Sequence, residues 1–256
     1  MLHIETVGAG PDLVLIHGWA MHGGIFAPLT PLLAERFRVH LVDLPGHGFS
    51  RGDTGACNLA AWAERVLDAT PPAIWAGWSL GGLVALQAAL TRSSRVRGLI
   101  EIAASPCFVN ADGWTHGVDL AVFTQFALGL RQNYREAIER FLALETLGSA
   151  NAQTELRELK TLVFARGEPD LGVLEQGLHM LEATDLRAAL TQLAMPSLWI
   201  AGRRDRLVPS AAMRWAATQS MQSGFVEIAS GHAPFLSHAA DVAQAIDDFT
   251  QRLPTS

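Results

Sequence analysis

A serine flanked by glycines is the clearest chemical signal in this sequence. Residues 77–81 read Gly-Trp-Ser-Leu-Gly and match the pattern G-x-S-x-G, in which the serine occupies a strained turn between a strand and a helix. Glycines two residues before and after the serine remove Cβ atoms that would collide in that turn. Since an apolar run precedes Ser79 and a helical pattern follows from Gly82, we expect Ser79 to be a nucleophile above a sheet.

A serine hydroxyl is a weak nucleophile, so it needs a histidine base. His232 follows the last β-rich run in a Gly-His-Ala-Pro loop and comes after the serine in the chain, as the order Ser, Asp or Glu, His requires. We expect His232 to be this base and His238 to flank the final helix. The histidines before the serine, His17, His22 and His47, are expected to be loop or pocket residues.

The base must in turn be oriented by a carboxylate. Asp205 follows a β-rich run directly and precedes His232, which makes it the expected partner, although a solvated Arg/Asp turn would read the same way. Asp170 and Asp185 are rivals, but both fall in or at the edge of a helical region.

Ester attack also needs an oxyanion hole, usually two backbone N–H groups. We expect them at Leu80, which follows the nucleophile, and at Trp19, in the segment His-Gly-Trp-Ala at 17–20 that follows an early apolar run.

Short β-rich runs alternate with helical stretches along the chain, which predicts a mostly parallel sheet with helices on both faces. Each run ends at small or polar residues, where ligands bind in such folds. Residues 109–185 contain no β-rich run, and we expect some four helices there as a cap on a core formed by 1–108 and 186–256. The β-rich runs are at 13–16, 37–42, 73–76, 99–103, 198–201 and 225–228.

The composition limits the function classes. The 256 residues are 49% hydrophobic and carry a net charge of −6, which disfavours disorder and non-specific nucleic-acid binding. Cys57 and Cys107 cannot form a disulfide scaffold, and no zinc-type spacing is present. Residues 69–91 lack charge, but their prolines and glycines favour a buried strand, turn and helix over a membrane span. Without a signal-peptide pattern, we expect a soluble, cytoplasmic, monomeric protein.

The sequence resembles the α/β-hydrolases and, within them, the pimeloyl-[acyl-carrier protein] methyl ester esterases of biotin synthesis. Gly-Trp-Ser-Leu-Gly-Gly-Leu, Ser-Pro-Cys-Phe and Arg-Phe-Leu-Ala-Leu are the narrower of the shared motifs. The resembling segments are 17–19, 39–46, 74–83, 105–108, 139–146 and 231–235.

This resemblance implies hydrolysis of the distal methyl ester of a pimeloyl chain on acyl carrier protein, without a metal or organic cofactor. It implies that a group of residues contacts the substrate: Trp19, Ser79, Leu80, Phe141, Leu142, Ala143, Leu144, Glu145 and His232. It also implies carrier-protein contacts at Arg140, Arg157 and Lys160, although Glu136 and Gln153 stand where arginine is expected.

Two other classes of function remain open from the sequence. The same triad would serve a general carboxylesterase or a hydrolase of C–C bonds, since only pocket and cap distinguish these enzymes. A non-catalytic binding protein on the same scaffold is disfavoured because each triad position has a candidate.

Overall fold

A computed structural model describes residues 1–53, 55–147, 149 and 151–253. In this part of the chain seven strands form one sheet in the order β1-β3-β2-β4-β5-β6-β7. β1 pairs antiparallel with β3, and the other neighbouring strands pair in parallel. The strands are β1 (Ile4–Val7), β2 (Asp12–Ile16), β3 (Arg38–Val42), β4 (Ala73–Trp78), β5 (Val96–Ile102), β6 (Ser197–Gly202) and β7 (Ser223–Ile228).

The six β-rich runs of the sequence correspond to β2–β7, so the predicted parallel sheet is confirmed. β1 was not predicted, because its four residues are mostly exposed and form no apolar run. The described residues also contain three short 3-10 helices and nine α-helices. The helices are α1 (Thr30–Ala34), α2 (Leu59–Ala69), α3 (Leu80–Thr91), α4 (Leu120–Thr146), α5 (Ala152–Val163), α6 (Leu171–Ala183), α7 (Ser210–Thr218), α8 (Pro234–Ser237) and α9 (Ala239–Thr250).

The uncharged stretch 69–91 forms the centre of the fold. β4 is buried at every residue and lies between β2 and β5, and α3 is buried along most of its length. A strand with neighbours on both sides and helices on both faces has no polar surface, which explains its continuous apolar sequence. Among the described residues, no helix combines the length and apolarity that crossing a membrane would require.

The region between β5 and β6 contains three helices, α4–α6, where some four were expected. α4 spans 27 residues but is interrupted at Asn133, whose φ of −154° and ψ of 91° are not helical, so it consists of two helical segments. We propose that residues 109–185 form a cap on the remaining core, and we use the word cap for these residues.

A partly buried ion pair joins this cap to the core. Arg166 follows α5, and its guanidinium donates to the Asp43 carboxylate at 3.0 Å and to Glu5 at 2.7 Å. The Asp43 side chain, just after β3, is fully buried and also accepts from the backbone N–H groups of Gly23 and Phe49. Breaking such a pair leaves a buried charge without its counterion.

Arg166→Met is therefore expected to lower the free energy of unfolding by about 3 kcal/mol. The matched control is Arg131→Met, which removes the pair of an exposed guanidinium with Glu175 on the cap surface and is expected to cost less than about 1 kcal/mol. Urea denaturation of both variants measures the difference. Equal losses would show that Arg166 does not hold the cap through Asp43.

Candidate active site

Ser79 lies at the turn between β4 and α3 with a φ of 55°, in the left-handed region that non-glycine residues rarely adopt. A side chain at Gly77 would overlap the backbone of Gly81, and one at Gly81 would overlap the carbonyl of Ile16. Both glycines of the motif are thus required by backbone packing. The strained turn presents Ser79 at the carboxyl end of the central strand, where it is 2% exposed.

His232 and Asp205 are joined in the structure. Nδ1 of the fully buried His232 lies 2.8 Å from Oδ2 of Asp205. The carboxylate can only accept, so Nδ1 carries the proton and Nε2 is left as the acceptor. The other carboxylate oxygen of Asp205 accepts from the backbone N–H groups of Leu207 and Val208 at 2.8 and 3.0 Å. Asp205 is therefore fixed by its own turn after β6.

The backbone of His232 is held from two sides. Trp78, the residue before the serine, donates its indole N–H to the carbonyl of His232 at 2.8 Å, and the two rings lie 5.6 Å apart. The N–H of His232 donates to the carbonyl of Glu145 at the end of α4 at 3.2 Å. Trp78 thereby brings the loop after β7 beside the turn that carries Ser79. Sequence reasoning did not identify this role, because an indole in a buried strand reads as core.

The environment of His232 favours its charged form. Burial alone would lower the pKa, but the charge and hydrogen bond of Asp205 outweigh it and raise the pKa above the usual 6.5. Nε2 of His232 is buried and has no hydrogen-bond partner among the described residues. An imidazole of this kind can take a proton from a hydroxyl placed at Nε2.

The loop after β2 packs directly on the serine. A side chain at Gly18 would lie 3.0 Å from the Trp78 ring and 3.3 Å from Cβ of Ser79, so the backbone approaches there because residue 18 is glycine. Leu80 begins α3 immediately after Ser79. The N–H groups expected to form an oxyanion hole, at Trp19 and Leu80, therefore belong to segments that flank the serine; their role stays a prediction.

The buried side chain of His17 holds the loop after β2 through hydrogen bonds. His17 donates from Nδ1 to the carbonyl of Gly18 at 2.8 Å and accepts at Nε2 from the N–H of Leu44 at 2.9 Å. Burial, with repulsion from His47, lowers the pKa of His17 to about 3, so the ring is neutral as this pattern requires. Burial likewise lowers the pKa of His47 to about 4. His17 thus joins the loop after β2 to the loop after β3.

An apolar wall lies beside the loop after β2 and the start of α3. Trp19 is fully buried and donates its indole N–H to the carbonyl of Leu174 at 2.8 Å, and its ring lies 4.6 Å from that of Phe141 on α4. The helix α6 packs against the same wall. A side chain at Gly177 on this helix would lie 2.8 Å from the Trp19 ring and 3.4 Å from Leu80. This wall suits an aliphatic substrate chain.

The residues expected to contact substrate at 141–145 lie on different faces of α4. Phe141, Leu142 and Glu145 are buried, Leu144 is half-buried and Ala143 is exposed. A helix turns about 100° per residue, so five consecutive residues cannot all face one pocket.

Glu145 is the unusual member of the group on α4. Its side chain is buried, and both carboxyl oxygens lack a hydrogen-bond partner among the described residues. Burial raises its pKa to about 8, with His232 opposing the shift and Asp205 adding to it.

The residues expected at the carrier surface are exposed on the cap. Arg140 pairs with Glu136, and Lys160 pairs with Glu139 at 2.6 Å. Arg157 donates to the hydroxyl of Thr154 at 3.4 Å.

The rival aspartates have other roles. Asp170 caps α6 by accepting from the N–H of Val173 at 3.0 Å. Asp185 pairs with Arg187. Within the described residues, no group of three His, Cys, Asp or Glu side chains is arranged to bind a metal ion.

Comparison with known proteins places this geometry in a family. The sequence matches the alpha/beta hydrolase family over residues 13–245. A pimeloyl-[acyl-carrier protein] methyl ester esterase from Xanthomonas oryzae pv. oryzae (strain MAFF 311018) is 55% identical over 254 residues, covering 99% of this chain and 100% of that protein. An esterase of the same name from Stenotrophomonas maltophilia (strain R551-3) is 54% identical and covers 98% of this chain and 97% of its own length.

Solved structures agree on the fold. An esterase from Exiguobacterium antarcticum has a TM-score of 0.88 at 20% identity and covers 98% of this chain and 95% of its own. The enol-lactonase from Burkholderia xenovorans LB400 has a TM-score of 0.86 at 20% identity, covering 98% and 96%. At this identity the likeness shows the fold alone. The family match and the full-length relatives show that the chain belongs to the alpha/beta hydrolase family and, within it, to the pimeloyl-[acyl-carrier protein] methyl ester esterases.

Proposed function

We propose that this protein is a serine esterase that hydrolyses the methyl ester of a pimeloyl chain carried on acyl carrier protein. The observation that carries the proposal is the identity of more than half of the residues, end to end, with esterases of that name. The buried His232–Asp205 pair beside the strained Ser79 turn supports the chemistry. The product is a free distal carboxylate, the form that biotin synthesis requires. The cytoplasmic location and the monomeric state stay predictions.

The proposed reaction has two halves. In the first, Oγ of Ser79 attacks the ester carbonyl while Nε2 of His232 takes the hydroxyl proton, and the N–H groups of Trp19 and Leu80 hold the oxyanion. Collapse of this intermediate expels methanol, which receives the proton from His232. In the second half, water attacks the acyl-enzyme, His232 takes its proton and returns it to Ser79, and the acid leaves. Asp205 keeps the imidazole in the tautomer that both halves need.

The apolar wall formed by Trp19, Phe141 and Leu80 supports an aliphatic acyl group. Ser79 and His232 are both buried, so a substrate tethered to a carrier protein must enter past the cap. We propose that the carrier lies against the exposed face of α4 and α5, at Arg140, Arg157 and Lys160. Local glutamates offset Arg140 and Lys160, which leaves Arg157 as the main attractive charge in this set.

The assignment is tested by comparing substrates. The wild type is expected to hydrolyse pimeloyl-carrier methyl ester with a higher kcat/KM than p-nitrophenyl butyrate, and to restore growth without biotin to a strain that lacks this esterase. Ser79→Ala is expected to lose turnover by about 10⁶-fold and to fail in that strain. A general carboxylesterase would instead favour the free ester and fail to restore growth. A folded Ser79→Ala variant with wild-type activity would refute the nucleophile.

The pH dependence tests the base and its partner. The base acts when neutral, so kcat/KM is expected to fall as pH decreases through the His232 pKa, which lies above 6.5 because Asp205 raises it. Asp205→Asn is expected to lower kcat about 10⁴-fold and to move the acid limb to lower pH. Asp185→Asn, which removes an exposed carboxylate paired with Arg187, is the control and should leave rate and limb unchanged. If the acid limb of Asp205→Asn stayed at the wild-type pH, the carboxylate that orients His232 would have to be another residue.

The carrier surface is tested by reversing one charge. Arg157→Glu is expected to raise KM for pimeloyl-carrier methyl ester at low salt, because charge steering of an acidic partner is lost. The difference from wild type should shrink at high salt. Arg92→Glu, an exposed arginine that pairs with Glu64 outside the cap, is the control, and p-nitrophenyl butyrate is the control substrate. An equal effect on both substrates would show that Arg157 does not contact the carrier.

A further inference from the structure

Glu145 is a buried acid beside the proposed base. It occupies the last turn of α4, 2% exposed, and its own carbonyl accepts the N–H of His232 at 3.2 Å. Phe141, one turn earlier on the same face of the helix, packs on Trp19. Glu145 therefore lies on the helix end that contacts both the apolar wall and the loop that carries the base.

Three buried polar atoms of this region have no hydrogen-bond partner among the described residues: Nε2 of His232 and both carboxyl oxygens of Glu145. Buried polar groups are normally paired, so orphaned ones in one place indicate a bound group during function. For Nε2, the proposed mechanism supplies the serine hydroxyl and the attacking water. For Glu145 it supplies nothing.

The charge state of Glu145 follows from its surroundings. The titratable groups that face it are His232, after β7, and Asp205, after β6. The next cap carboxyl, Glu155 on α5, is engaged by the hydroxyl of Ser149 at 2.6 Å. Burial raises the pKa of Glu145 to about 8 despite His232, which favours the neutral carboxylic acid at pH 7. Such an acid offers one O–H donor and one carbonyl acceptor.

We propose that Glu145 is a positioning residue that hydrogen-bonds the water attacking the acyl-enzyme and aims it at Nε2 of His232. The idea rests on the proposed serine-esterase function. In this step the water oxygen bonds to the acyl carbon, one water proton goes to Nε2, and the Ser79 ester bond then breaks as Oγ takes that proton. Glu145 keeps its own proton throughout. Its ionisation would remove the O–H donor and place an anion where the neutral acid holds the water.

The test measures p-nitrophenyl butyrate hydrolysis from about pH 6 to about pH 9.5, with Ser79→Ala as the blank for spontaneous hydrolysis. The wild type is expected to lose kcat as pH rises through about 8. Glu145→Gln, which offers a donor and an acceptor but cannot ionise, should retain hydrolysis at pH 7 and lose this alkaline limb. Glu155→Gln, at the other buried cap carboxyl, is the matched control and should keep the wild-type profile.

A second measurement separates the two half-reactions. Glu145→Leu is expected to release one equivalent of p-nitrophenol in a burst and then turn over about 10²-fold more slowly, because acylation proceeds while the water is misplaced. An alkaline limb that persists in Glu145→Gln would overturn the proposal, and so would a Leu variant with wild-type turnover or with no burst. If the Leu variant fails to fold, the Gln profile decides. If the wild type hydrolysed p-nitrophenyl butyrate but not pimeloyl-carrier methyl ester, the proposed substrate would be refuted. The conclusion about Glu145 would not be affected.

Discussion

The close approach of three backbones around Ser79 is the constraint on which the rest of the site depends. The turn after β4 holds the serine at a positive φ, and it fits only because Gly77, Gly81 and Gly18 leave room for neighbouring backbone and the Trp78 ring. Strain of this kind persists when the surroundings over-determine it. Here the fully buried β4 and α3 supply that support, and any side chain at these glycines would displace the serine from the loops that serve it.

The buried ionisable groups of the site are sorted by whether each has a partner. Asp205 accepts from His232 and from two backbone N–H groups, so both of its carboxylate oxygens have partners. His17 has one carbonyl and one N–H, a pattern that requires the neutral ring. Glu145 has no partner among the described residues and is neutral because burial disfavours its charge. The same buried site thus contains Asp205 with three hydrogen-bond donors, His17 as a neutral ring and Glu145 as an acid without a partner among the described residues.

The sequence predicted the parts of this site that local pattern determines. Apolar runs and short motifs indicate the turn at Ser79, the ends of β6 and β7, and the order of Asp205 and His232. The strands and the three candidate residues could therefore be predicted from the sequence. Contacts between distant segments were not. Nothing in the sequence pairs Trp78 with the carbonyl of His232 or Arg166 with Asp43, since each joins positions more than 100 residues apart. The strand β1 could not be predicted because an exposed edge strand has no apolar run.

The helix α4 contacts both the apolar wall and the loop that carries His232. Its last two turns provide Phe141 against Trp19 and the carbonyl that accepts the N–H of His232. Because both contacts come from one helix, any change in the position of α4 would alter the wall of the pocket and one of the two supports of the base loop together. The other support, the Trp78 indole, belongs to the rigid centre of the sheet. The position of the base therefore depends on both the central sheet and the cap, and α4 links the wall of the pocket to the residue that does the proton transfer.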